Sequence, residues 1–328
     1  MTGRLADSRI EMLCTPRAEQ FDPSEVCIVH PIQLCVRRSY LAGFDQATRK
    51  DYSHRREWIR SRMERLASVF GIDLLSYAIL SNHLHIVART RPDITREWSN
   101  QDVALRWLSL FPGQRIDEHL ADPTTNAVDA LANDSERIKT IRLRLSDPSW
   151  FMKALCEPIA RLANFQDKVT GHFWEGRYKA QAITDEAGLL TCSMYVDLNP
   201  IRAAMASTPE ESLHTSAYGR IKALEGNTIP SAAVDLVAIE TEEAGRIRRT
   251  TTPDELRKKR AAAKKKRGPS ILRDAWLSPI TLNERSKSGP QSSQGGVRAS
   301  DKGFLSTKIG DYLSLLDWTG RQRVGGLE

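Results

Sequence analysis

His83 and His85 stand one residue apart in "SNHLHIVART", a run otherwise rich in strand formers. Side chains alternate along a strand, so the two imidazoles share a face while Leu84 and Ile86 point to the opposite layer. Adjacent imidazoles suit two ligands to one divalent cation, with a third drawn from elsewhere and open positions left for water or phosphate. The plainer reading is a pair of ordinary strand histidines. A structural zinc site is less attractive still, because no further His or Cys cluster lies at a finger-like spacing. Tyr195 and Asn199 form a second pair, four residues apart at the end of a helical stretch, where both can face one direction. They too have plain roles, as a packing tyrosine with a wet hydroxyl and as a helix cap.

Positioning these residues takes a sheet and a helix, and the sequence predicts both. "SEVCIVHPIQLCVRR" alternates with Val26, Ile28, Ile32, Leu34 and Val36 on one side, a strand in which Pro31 suggests an edge or a bulge. Ile59, Met63, Leu66 and Phe70 recur at helical spacing, with Gly71 where a left-handed helix terminus would sit. "IDLLSYAIL" and "HLHIVART" are joined by Ser81 and Asn82, a length suited to a tight hairpin. Strand, helix, strand, strand opens a split βαβ or ferredoxin-like domain. Residues from about 91 to 166 read as a helical insertion, "FWEGRYKAQAI" as a final strand, and "TDEAGLLTCSMYVDL" as a helix capped by Thr184 or Asp185. "NPIRAAMA" follows as another short helix, with Asn199 as its cap and Pro200 in its first turn. The expected fold class is α+β: an antiparallel sheet backed by helices, with a helical insertion and a basic, largely disordered C-terminal tail.

The 328-residue chain carries 48 Lys and Arg against 41 Asp and Glu, a formal charge of +7, compatible with a polyanionic partner. Its five cysteines are odd in number, scattered and without a CxxC pair, which predicts neither a disulfide framework nor a thiolate zinc site and suggests a reducing cytoplasm. No apolar signal core or run of membrane-spanning length is apparent, so export and membrane insertion are not expected. The organisation reads as a polar leader (1–22), a folded domain (23–222), a basic flexible tail (223–302) and a short docking motif (303–328). Within that tail, 246–267 holds 11 Lys or Arg residues.

"CVRRSYLAG", "YAILSNHLHIV", "GHFWEGRYKAQAI" and "YVDLNPIRAAMA" occur in this order over roughly 26–215, and with them the chain resembles the HUH single-tyrosine transposases, in the REP-associated (RAYT-like) branch. "DYLSLLDWTGR" is a further match. The resemblance implies a ferredoxin-like sheet with the tyrosine on a helix that approaches a metal. It makes His83, His85 and Asn199 the metal ligands and Tyr195 the nucleophile. The implied activity is cleavage and rejoining of single-stranded DNA at hairpin-bearing ends through a covalent 5′-phosphotyrosine; family members work as homodimers or alone.

The chemistry explains the residue types. A phenol is a weak nucleophile at neutral pH and needs activation by a base, solvent or metal-bound hydroxide. A divalent ion would polarise the phosphate and hold it in line; imidazoles favour Mn²⁺ and oxygen donors Mg²⁺, so the expected cofactor is Mg²⁺ or Mn²⁺. Exchanging a phosphodiester for a phosphotyrosine ester retains the bond energy, in keeping with the lack of a GxxxxGK[ST] loop. Arg37, Arg38, Arg177 and Lys179 are candidates for gripping phosphates, and Trp174 and Tyr178 for stacking on unpaired bases. Two other functions fit the same residues. A non-catalytic protein derived from a transposase would bind DNA or RNA hairpins without cutting, and a hydrolytic nuclease would cut without a covalent adduct.

Overall fold

In this computed structural model, residues 22, 24–36, 41–45, 49–111, 123–234, 236, 269–282 and 291–324 are described. Strand β1 (Ile28–Leu34) leads through a small ribbon, β2 (Phe44–Asp45) and β3 (Lys50–Asp51), into helix α1 (His54–Ala67). Strands β4 (Ile72–Ile79) and β5 (His83–Thr90) form a hairpin, its turn closed where the Leu80 amide donates to the His83 carbonyl at 2.9 Å. Helices α2 (Pro92–Glu97), α3 (Asn100–Leu110), α4 (Thr125–Ala132), α5 (Ser135–Arg144) and α6 (Pro148–Asp167) follow. Then come β6 (Lys179–Ile183), α7 (Glu186–Asp197) and α8 (Asn199–Arg202). The chain closes with α9 (Ser216–Leu224), the β7 (Thr228–Pro230) and β8 (Ser270–Leu272) pair, and α10 (Ile309–Val324).

The main sheet is antiparallel throughout, in the order β4-β5-β1-β6. That is the ferredoxin-like arrangement expected from the strand–helix–strand–strand opening. Both faces are covered. Leu84, Ile86, Ala88 and Val29 pack with Ile59, Met63, Leu66 and Phe70 and with the helices of the insertion. On the opposite face, Leu75, Ala78 and Val87 pack against Leu189 and Val196 of α7 and Tyr312 and Leu316 of α10. That second face also carries the two histidines.

Two expectations are corrected. Pro31 lies on an interior strand rather than an edge, since β1 runs between β5 and β6. It is tolerated because the β1–β5 ladder lapses there, pairing resuming from Val29↔Ala88 to Ile32↔His85. Gly71 has no left-handed backbone; an added Cβ would stand 2.2 Å from Thr95 Cγ2, so close packing against α2 demands the glycine. The tail assigned to 223–302 is in part packed structure. Trp276 is buried and packs against Tyr77 with ring centroids 5.2 Å apart, and Leu277 and Ile280 are buried as well. Asp73 accepts from the Ser300 hydroxyl and is ion-paired with Arg89 and Arg91. A few apolar anchors and one buried charge cluster suffice to dock a segment whose average composition is polar. The basic stretch 246–267 lies outside the described residues.

No described helix is long and apolar enough to cross a membrane.

Candidate active site

The site is built on the α7 face of the sheet. Register places Ile32 opposite His85, so β1 residues of the same parity, Ile28 and His30, share its face. His30 thereby joins His83 and His85: its ring centroid is 5.2 Å from that of His85, and the rings of His83 and His85 are 4.8 Å apart. Helix α7 starts at Asp185, whose carboxylate accepts from the Gly188 amide at 2.7 Å. It continues almost without a break into α8, because Leu198 between them keeps a right-handed helical backbone. Tyr195, Asn199 and Arg202 therefore fall at helical spacing on one side. The Tyr195 ring stands 5.7 Å from the His85 ring, edge on, and the Arg202 guanidinium is 5.0 Å from the Tyr195 centroid.

Asn199 makes no capping hydrogen bond, contrary to its expected role; its carboxamide turns to His85 instead, Nδ2 lying 3.2 Å from Nε2. With the Asn199 and Asn82 carboxamides oriented as they stand, the hydrogen bonds select one tautomer for each ring. Because Nδ2 can only donate, His85 Nε2 holds a lone pair, and its Nδ1–H must then donate to His30 Nε2 at 3.0 Å. Asn82 Oδ1 can only accept, so the His83 Nδ1–H donates to it at 2.7 Å, leaving the lone pair on His83 Nε2.

Burial keeps these rings neutral. It pushes His30 down to about 4 and His85 to about 2, the latter helped by the neighbouring His83 and His30, and it lowers His83 as well. His30 is 6% exposed and His85 3%, while Tyr195 is 38% exposed and His83 half-buried.

Could this set hold a metal? Among the described residues no group of three or more His, Cys, Asp and Glu side chains is placed to do so. Two imidazoles and a carboxamide are nonetheless a fitting donor set. Ligands about 2.1 Å from an ion and at right angles lie about 3 Å apart, close to the 3.2 Å between Asn199 and His85. A half-turn of the Asn199 amide would present its oxygen in place of its nitrogen. In both histidines the far nitrogen, Nδ1, already has a hydrogen-bond partner, the usual support for imidazole ligands.

The remaining predicted residues divide. Lys179 is exposed and pairs across from Ile32, on the histidine face and two strands from His85, about 10 Å away. Arg177 is exposed, but Trp174, Arg177 and Tyr178 line a separate cleft beside α6. Trp174 is partly buried, with its Nε1–H donated to the Cys156 carbonyl at 2.9 Å. Tyr178 is not an open stacking surface: it is 7% exposed and its hydroxyl is 3.0 Å from Ser149 Oγ. Arg37 and Arg38 lie outside the described residues.

Sequence reasoning missed His30, Arg202 and the separate support given by Asn82. The alternation that pairs Ile28 with Ile32 already puts His30 between them on the shared face, and Arg202 follows Tyr195 at the seventh position.

No protein-family model matches this chain, and no curated protein does. Among solved structures, a REP-associated tyrosine transposase bound to a REP hairpin is similar, with a TM-score of 0.34 and 11% identity over 66% of this chain and 89% of that chain.

Proposed function

We propose that this protein is a metal-dependent DNA strand transferase that cuts and rejoins single-stranded DNA at hairpin-bearing ends, with Tyr195 as nucleophile. One observation carries the reading. Residues predicted from separate motifs meet on one sheet face: the Tyr195 ring is 5.7 Å from that of His85, whose Nε2 faces the Asn199 carboxamide.

His83 and His85 through Nε2, and Asn199 through its carboxamide oxygen, would hold Mg²⁺ or Mn²⁺. The bound ion would polarise the scissile phosphate and neutralise its charge. The protein's own residues do the rest. The partly exposed Tyr195 hydroxyl attacks phosphorus, forming a Tyr195–phosphate ester to the 5′ side while the bond to the 3′ oxygen breaks. The phenol's proton leaves to solvent or a base, and the released 3′ oxygen takes one up. Attack by a 3′-hydroxyl reverses these steps and restores a phosphodiester. Arg202, over the Tyr195 ring, offers positive charge to a developing phenolate or a phosphate oxygen. Lys179 would grip the backbone on the same face.

The test is incubation of the full chain with labelled hairpin DNA, bearing single-stranded flanks, and Mn²⁺. A protein–DNA adduct should form and should vanish in Tyr195→Phe and in the doubly substituted His83→Ala, His85→Ala protein. An undiminished adduct in Tyr195→Phe would overturn the assignment. Cleavage with no adduct would point to water as nucleophile, and binding with no cleavage to a hairpin-binding protein.

A further inference from the structure

On the sheet face away from the histidines, a cleft of about 310 Å³ opens between the end of β1 and helix α6. This volume is at the lower end of what houses small ligands. Its α6 wall is a single helical face, on which Met152 and Cys156 are apolar contacts four residues apart. Across from them stands Trp174, its ring pinned by the hydrogen bond to the Cys156 carbonyl. Gln33 lines the same cleft and is 4% exposed. Its Nε2 donates to the Gly176 carbonyl at 3.1 Å, with the Leu34 carbonyl at 3.5 Å, and two acceptors at that nitrogen fix the amide's orientation. The carboxamide oxygen is thus left as an acceptor. At the rim, exposed Lys153 and Arg177 supply positive charge, and Glu157 is neutralised by its ion pair with Arg161.

We propose that this cleft takes one unpaired nucleobase of the DNA, of a kind carrying an exocyclic amino group. The inference rests on the DNA-processing reading above. An apolar slot walled by an aromatic ring suits the faces of a base, and cations at its mouth suit the phosphates on either side. The Gln33 oxygen accepts a hydrogen bond from the amino group of adenine, cytosine or guanine, which thymine lacks. Arg177, at the cleft, precedes by two residues Lys179, which opens the sheet's edge strand β6 on the histidine face. A strand passing this edge can place a base in the cleft and continue toward His85.

The probe is hairpin DNA with short single-stranded flanks, titrated into the full chain in EDTA so that no cutting intervenes. Replacing one flank nucleotide at a time by an abasic site should weaken binding about tenfold at one position, the worth of a stacked base. Thymine at that position should bind more weakly than adenine. Gln33→Met, with its unfolding curve checked against the parent, should erase the adenine–thymine difference and leave affinity for the bare hairpin unchanged. An abasic scan with no sensitive position, or the same preference in Gln33→Met, overturns the pocket. If the Tyr195 adduct still forms in that case, the transferase reading stands alone. A sensitive, Gln33-dependent position with no adduct supports the pocket and overturns the transferase. Failure to bind hairpin DNA at all overturns both.

Discussion

The Tyr312 hydroxyl donates to Asp197 Oδ2 at 2.7 Å inside the core, joining the C-terminal helix α10 to the helix that carries Tyr195. Asp197 also accepts from the Ser216 hydroxyl at 2.5 Å and the Ala217 amide at 2.9 Å. Tyr312→Phe leaves a buried carboxylate oxygen short of a donor, which costs about 1–3 kcal/mol. Urea denaturation should show that loss of stability, and an unchanged midpoint would mean the bond holds nothing in place.

His30 holds His85 through Nδ1 and so supports the Nε2 that faces Asn199. Loss of such a partner weakens metal binding about 10–100-fold. Mn²⁺ titrations followed by electron paramagnetic resonance should show that loss in His30→Leu and a smaller one in His30→Gln, which keeps an acceptor. Identical affinities in all three proteins would show that His30 plays no part in metal binding.

The metal-free protein should lose stability in mild acid. His30 and His85 are held to about 4 and about 2, below the ordinary histidine value of 6.5. The unfolded chain therefore takes up protons that the native rings refuse. Their contribution is complete above pH 6.5 and drains away as pH falls toward the native values, by on the order of 2 kcal/mol per ring at pH 5. Denaturation at pH 7 and pH 5 in EDTA should reveal it, with a shallower dependence in His30→Gln.

Gly71→Ala should destabilise by about 1–3 kcal/mol, the usual range for overpacking, because the new methyl meets Thr95 Cγ2 at 2.2 Å. Thr95→Ser removes that carbon and keeps the hydroxyl, which donates to the Pro92 carbonyl at 3.2 Å. The double variant should recover much of the loss in thermal unfolding, whereas additive losses would mean that another contact sets the cost.

Strong periodicity made the sheet, α1 and the hairpin legible, since Ile59, Met63, Leu66 and Phe70 could share one buried face only on a helix. The histidine face followed from alternation. Asn199 shows where local rules fail: cap chemistry beside Pro200 points to a helix start, but the right-handed backbone at Leu198 lets α7 run into α8 and frees the carboxamide for His85. The packed part of the tail was hidden because Trp276 and Ser300 each dock onto β4 neighbours far away in sequence. Tyr178 was misread because nothing local announces Ser149 as the partner of its hydroxyl.

The Asp197–Tyr312 bond spans 115 residues of chain. During synthesis the tyrosine-bearing helix therefore leaves the ribosome well before the element that covers it, and so long a loop makes the contact slow to close. A nascent chain would hold Tyr195 loosely until α10 arrives, which ties assembly of the finished site to this late segment.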